Sequence, residues 1–184
     1  MTISSLKQGF ELSDKLHTIL VDPLAKEIVD SLPFIISRDK NISPTTFTIS
    51  SSGDYELSDI SVSAFKIIDS IDQVADLYKI TIENLKVLYV REGVSSIPKD
   101  MIEELGTIHV LILELDSASI FSKKVELVQE IEPYYICVNS NNESSKIFEK
   151  ELGETAEPMK KLKIKSDEFN AETDEVATKL ILLG

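Results

Sequence analysis

Residues that usually bind zinc are scarce in this chain. Its 184 residues include two histidines and one cysteine, whereas a zinc site generally takes three or four ligands, mostly from these two residue types. A single cysteine, Cys137, cannot form an internal disulfide and is typical of a reducing compartment. The six glycines are about half the usual share of roughly 7%, so a glycine-rich phosphate-binding loop is not expected.

Long apolar runs are also missing, and positive charge is in deficit. The longest apolar runs, such as 134–138, are far shorter than the roughly 20 residues that cross a membrane. The chain has 19 Lys and Arg against 32 Asp and Glu, a formal charge of −13, which argues against nucleic acid and anionic membranes as partners. The first ten residues lack the apolar core of a signal peptide, so we expect a cytoplasmic protein.

Strand-like segments occupy the first half of the chain, and helices alternate with strands after it. The pattern predicts strands at 9–13, 17–21, 33–37, 45–50, 55–57, 61–67, 77–82 and 86–90, with Glu83-Asn84 as a tight hairpin. It then predicts helices at 98–105, 122–131 and 144–152 and strands at 108–115, 134–138, 160–165 and 176–183. No linker interrupts this order, so we expect one domain, 1–184, with helices outside packed sheets.

Short motifs at the turns carry a family resemblance. They are Ile-Leu-Val-Asp-Pro at 19–23, Phe-Ile-Ile-Ser at 34–37, Ser-Ser-Gly-Asp-Tyr-Glu at 51–56, Ile-Glu-Pro at 131–133 and Lys-Leu-Lys-Ile at 161–164. Their order resembles the metallo-β-lactamase superfamily, especially its small metal-dependent hydrolases similar to L-ascorbate-6-phosphate lactonase. The resemblance implies an α/β (α+β) fold, a four-layer αββα sandwich, whose active members hold two zinc or manganese ions at one edge.

The family's metal ligands are replaced in this sequence. Its signature loop, His-x-His-x-Asp-His after a Ser, falls on Arg-Asp-Lys-Asn-Ile-Ser at 38–43. The three His and the Asp of that motif therefore fall on Arg38, Lys40, Ser43 and Ile42. The family's bridging Asp falls on Glu92, and two further His fall near Ser95 and Ser140.

These replacements predict a protein that has lost its metal ions. Arg38 and Lys40 carry positive charge where the family has ligands, and cations about 4 Å apart repel by several kcal/mol at intermediate dielectric. We therefore expect a degenerate, non-catalytic member with a binding or structural role, as a homo-oligomer or in complex with an active relative. We also expect Glu92 to pair with Arg38 or Lys40, and we assign no cofactor.

Two alternatives stay open at this point. Asp22, Asp39 and Glu92 could hold Mg²⁺ in a divergent hydrolase of the lactone or phosphodiester class. Alternatively, Arg38 and Lys40 could hold a small anionic ligand. The degenerate pocket is therefore predicted to involve Asp22, Arg38, Asp39, Lys40, Glu92, Ser95 and Ser140, with no catalytic residue among them; His17, His109 and Cys137 are interpreted as structural.

Overall fold

Two mixed β-sheets make up most of the computed structural model, which describes residues 1–29, 32–57, 59–67, 74–115, 121–139, 143–169 and 178–184. The strands in chain order are β1 (Thr2–Ser5), β2 (Phe10–Ser13), β3 (Thr18–Val21), β4 (Ile35–Ile36), β5 (Thr48–Ile49), β6 (Gly53–Leu57), β7 (Ile60–Phe65), β8 (Leu77–Ile82), β9 (Leu85–Val90), β10 (Val110–Leu113), β11 (Tyr135–Asn139), β12 (Glu157–Met159), β13 (Lys161–Lys163) and β14 (Lys179–Leu183). The helices are α1 (Lys99–Leu105), α2 (Phe121–Ile131) and α3 (Glu143–Leu152), and short 3-10 turns cover Ala25–Glu27 and Ser166–Phe169.

Each sheet is antiparallel at one end and parallel at the other. The six-stranded sheet has the order β13-β1-β2-β3-β4-β5 and becomes parallel from β3 onward. The eight-stranded sheet has the order β12-β14-β11-β10-β9-β8-β7-β6, in which β6 to β9 form an antiparallel meander and the remaining strands are parallel. Helices α1, α2 and α3 lie between successive strands from β9 to β12, as parallel connections require.

The core has two main parts, one on each face of the eight-stranded sheet. Strand β10 shows both: Val110 and Ile112 pack between the sheets, and Leu111 and Leu113 pack under the helices. A strand covered on both faces reads as a continuous apolar run, which the sequence 110–113 is. The predicted α/β class, with helices outside packed sheets, is confirmed.

The outer face of the six-stranded sheet carries a thinner covering. Leu20, Leu32 and Ile35 form a small cluster there, against which Ile28 packs just after the 3-10 turn Ala25–Glu27. All three α-helices of the described residues contribute instead to the cluster on the eight-stranded sheet. None of the described helices is long and apolar enough to cross a membrane.

Short strands account for most differences from the sequence-based prediction. Strand β1, Thr-Ile-Ser-Ser, was not predicted because only Ile3 of it is buried and its pairing depends on the distant β13. The predicted strand 45–50 is reduced to the two residues of β5. Local propensity does not reveal such strands, since their hydrogen bonds come from partners remote in sequence.

Helix α3 offers a direct test of the layer that covers the eight-stranded sheet. Phe148 is fully buried, whereas its neighbour Ile147 is 48% exposed. We expect Phe148→Ala to lower the free energy of unfolding by roughly 3–5 kcal/mol through the lost contacts and the cavity. Ile147→Ala is the matched control, expected within about 0.5 kcal/mol of wild type. Urea denaturation measures both, and equal losses would contradict the observed orientation of α3.

Candidate functional site

Polar side chains gather where parallel strands of both sheets end. Asp22 follows β3, Arg38 lies two residues after β4, and Glu114 follows β10. Arg91 and Glu92 follow β9, which runs parallel to β10. The carboxyl ends of neighbouring parallel strands lie at one edge of a sheet, where binding sites in α/β proteins usually form.

Asp22 is the buried anchor of this edge. Its Oδ1 accepts hydrogen bonds from the Arg38 backbone N–H at 3.0 Å and from Arg91 Nη2 at 3.1 Å. Its Oδ2 accepts from the Tyr89 hydroxyl at 2.8 Å and from Arg91 Nε at 3.1 Å. Four donors match the acceptor capacity of a carboxylate, so Asp22 is satisfied by the protein itself.

Arg91 is buried and held from several directions. Besides pairing with Asp22, it donates from Nη1 to the Ala75 carbonyl at 2.6 Å, and its guanidinium carbon lies 5.0 Å from the centre of the Tyr78 ring. Lys124 of α2 donates to the Arg91 carbonyl oxygen at 2.9 Å. Burial opposes the charge of Arg91, but the Asp22 carboxylate together with Tyr78 and Tyr89 outweighs it, and the pKa of Arg91 is raised.

Arg38 reaches across from the six-stranded sheet to two glutamates of the other sheet. Its Nη1 donates to Glu92 Oε1 at 2.8 Å, and its Nη2 forms an ion pair with Glu114 Oε2. Its Nε lies 3.9 Å from Asp22 Oδ2. Partial burial disfavours the charge, but the hydrogen bond to Glu92 and the nearby Glu114 raise the pKa of Arg38. Of the two partners predicted for Glu92, Arg38 and Lys40, the structure shows Arg38.

Glu114 belongs to this cluster and was not predicted. Its side chain is 20% exposed, and its Oε2 also accepts the Glu92 backbone N–H at 3.2 Å. The Tyr89 hydroxyl lies 3.3 Å from the same oxygen. Burial raises the pKa of Glu114, and the opposing charge of Arg38 only partly offsets this. The one sequence signal was an acidic residue directly after the apolar run of β10.

The other predicted residues lie outside this hydrogen-bond network. Asp39 is exposed, and its Oδ1 accepts the Asn41 backbone N–H at 2.9 Å within the loop. Lys40 is exposed and Ser95 partly buried. Ser140 lies outside the described residues.

Two small cavities border the cluster. One of about 300 Å³ is lined by Asp22, Arg38, Asp39 and Glu114 among others. The second, of about 290 Å³, is lined by Glu92, Glu114, Phe10 and Asn139 among others. Gln8 and Glu114 line both cavities, so the two cavities are neighbours beside the ion-pair cluster.

The donor set here does not fit the two-metal centre that the resemblance implies. Within the described ranges, no three His, Cys, Asp or Glu side chains are arranged to hold a metal ion. Asp22 is fully hydrogen-bonded, and Glu92 and Glu114 hold the guanidinium of Arg38. The two histidines act elsewhere: His17 lies 3.5 Å from an oxygen of Asp14, and His109 Nδ1 accepts the Lys86 backbone N–H at 2.9 Å.

Asp22→Asn tests the anchor. The substitution leaves the buried charge of Arg91 without its carboxylate, and losing one partner of a buried pair costs roughly 3–5 kcal/mol. We expect that loss in the free energy of unfolding, measured by urea denaturation. Asp39→Asn, in the neighbouring exposed loop, is the control, with a change within about 0.5 kcal/mol. If the two variants lose equal stability, Asp22 does not hold this edge together.

Glu114 gives the stability of the protein a pH dependence. Because its folded pKa is raised above the unfolded value, the folded state binds its proton more tightly. Its contribution is therefore complete at pH values below its ordinary pKa of 4.5 and is lost as pH rises through the folded pKa. The stability of wild type relative to Glu114→Gln should fall as the pH is raised from 4 to 7, in urea titrations. Glu103→Gln, an exposed change on α1, controls for lost surface charge; a parallel slope for both variants would contradict the assignment.

Solved structures share this fold over most of the chain. No protein-family model and no curated protein matches the sequence significantly. A candidate Zn-dependent hydrolase of the metallo-β-lactamase superfamily from Thermotoga maritima superposes with a TM-score of 0.74 at 16% identity, covering 100% of this chain and 99% of that one. A metallo hydrolase from Ignicoccus hospitalis has a TM-score of 0.59 at 9% identity, covering 83% and 90% of the two chains. The metallo-β-lactamase fold protein YhfI from Bacillus subtilis has a TM-score of 0.58 at 10% identity, covering 82% and 91%. At these identities the likeness concerns the fold alone, and on that basis the chain has the metallo-β-lactamase fold.

Proposed function

We propose that this chain is a metal-independent, non-catalytic protein of the metallo-β-lactamase fold whose role is binding or structural. One observation carries the proposal: the guanidinium of Arg38 lies against Glu92 and Glu114 at the strand ends. By the resemblance, Arg38 stands at a metal-ligand position of the signature loop. The solved structures that are similar include a candidate Zn-dependent hydrolase, and we propose that this chain has departed from that chemistry.

Electrostatics supports the loss of metal binding. Arg38 is charged at physiological pH, because a guanidinium stays protonated throughout that range. A divalent ion about 4 Å from a fixed cation is repelled by on the order of several kcal/mol at intermediate dielectric. The carboxylates that would offset this repulsion already accept hydrogen bonds from Arg38 and Arg91.

The two alternatives have less support from the contacts. A magnesium-dependent hydrolase would need Asp22, Asp39 and Glu92 together, but Asp22 is satisfied by protein donors and Asp39 accepts a bond within its own loop. An anion held by Arg38 would have to displace Glu92 and Glu114 from its two terminal nitrogens. The two cavities that Gln8 and Glu114 line are where a binding role is most readily tested.

For the binding partner, we propose only a type of molecule. A second copy of the chain or an active relative would suit a protein whose scaffold has outlived its site. The strong negative charge of −13 favours neither nucleic acid nor an anionic membrane. We propose a cytoplasmic location, because the single cysteine is typical of a reducing compartment.

Metal content and hydrolysis test the proposal together. Untagged protein, incubated with Zn²⁺ and Mn²⁺ and then desalted, should retain far less than one ion per chain by elemental analysis, because Arg38 takes the available carboxylates. It should also leave a panel of phosphodiesters and lactones unhydrolysed. The matched control is Glu92→Gln, which removes the one carboxylate at a family ligand position. The proposal would be overturned, in favour of a divergent hydrolase, if wild type bound stoichiometric metal or hydrolysed a substrate and Glu92→Gln lost that metal or activity.

A further inference from the structure

Two ion-pair units of different character meet at this edge. In the first, Asp22 accepts four hydrogen bonds, two of them from the buried Arg91. The Arg38 side chain adds only an Nε 3.9 Å from Asp22. Removing the Arg38 side chain therefore leaves all four hydrogen bonds of Asp22 in place, since the bond from Arg38 comes from its backbone N–H.

The second unit depends on the Arg38 side chain. Glu92 and Glu114 follow neighbouring parallel strands, and the Glu92 backbone N–H is bonded to the Glu114 carboxylate at 3.2 Å. The strands thus hold the Glu92 backbone against the Glu114 carboxylate, so the two glutamates remain neighbours when the Arg38 side chain is removed. Without the Arg38 side chain, Glu92 and Glu114 lose the guanidinium that both contact, whereas Arg91 stays paired with Asp22.

Arg38 also connects the two sheets. Its backbone N–H is fixed on Asp22 of the six-stranded sheet, whereas its guanidinium lies on Glu92 and Glu114 of the eight-stranded sheet. A cation bound between such loops joins them through its ligands, which is how a structural metal stabilises a fold. Here the cation is covalently attached to one of the loops.

We infer that Arg38 is a tethered cation that does for this edge of the fold what a bound metal ion does elsewhere: it offsets part of the negative charge of Glu92 and Glu114 and joins the strand-end loops. This inference rests on the proposal that the wild-type chain holds no metal here. It predicts a specific property. Once the guanidinium is removed, a free cation of suitable chemistry can take its place.

Chemical rescue separates this role from that of an ordinary surface ion pair. An exposed pair contributes about 0–1 kcal/mol, and added ions only screen it. A vacated cation position between two carboxylates should instead be filled saturably by free guanidinium, which matches the lost group. Mn²⁺ is a second probe, because carboxylate oxygens suit it.

The experiment measures the thermal unfolding midpoint of Arg38→Ala in the presence of either guanidinium chloride, at low millimolar concentration, or MnCl₂. KCl keeps the ionic strength constant throughout. We expect Arg38→Ala to unfold several degrees below wild type and to regain part of that loss saturably with at least one probe. Wild type and Lys40→Ala, which removes an exposed cation two residues away, should not respond. Arg38→Ala combined with Glu114→Gln should lose the response, because one of the two carboxylates is neutral.

Other variants guard against a folding failure. Arg38→Gln keeps a polar side chain without charge and should respond to the probes as Arg38→Ala does, whereas Arg38→Lys should keep most of the wild-type midpoint. The inference is overturned if neither neutral variant responds, or if wild type or the double variant responds equally. Stoichiometric metal in the wild-type protein would instead refute the proposed function, so the two failures are distinguishable.

Discussion

The buried ion pair between Asp22 and Arg91 is the interaction on which this edge of the molecule depends. Asp22 ends a strand of one sheet and Arg91 follows a strand of the other, so their two hydrogen bonds join the sheets directly. A buried charge is costly unless its partner and remaining hydrogen bonds are in place. Tyr89, the Ala75 carbonyl and the Arg38 backbone supply those bonds, and so fix where the loop after β4 begins.

That constraint explains why Arg38 points where it does. With its backbone N–H bound to Asp22, the Arg38 side chain extends along the strand ends to Glu92 and Glu114. The side chains are partly exposed, at 42% for Arg38 and 44% for Glu92, so this second unit is the more adjustable of the two. A buried inner pair and an outer, solvent-accessible unit together make an edge whose carboxylates are paired with the chain's own cations.

Prediction from sequence succeeded where the pattern is local and failed where partners are distant. Apolar runs such as 110–113 identify buried strands because burial on both faces leaves no polar position. Opposite charges at the family's ligand positions predicted that Glu92 pairs with Arg38 or Lys40, and only the structure distinguished the two. Glu114 and Arg91 were missed: Glu114 lies in a predicted strand, and a buried arginine looks like a surface residue until its partner is known.

By itself, the sequence determined the class of fold, the scarcity of imidazole and thiolate ligands, and the presence of fixed positive charge in the loop 38–43. These follow from residue type and periodicity, which need no knowledge of distant neighbours. Only the tertiary structure showed that Asp22 is hydrogen-bonded to Arg91. It also showed that Glu92 and Glu114 both pair with Arg38. Lys40, by contrast, is exposed. The physical reason is that hydrogen bonding and burial depend on which strand ends meet, and here they bring Arg38 to Glu114, 76 positions later in the chain.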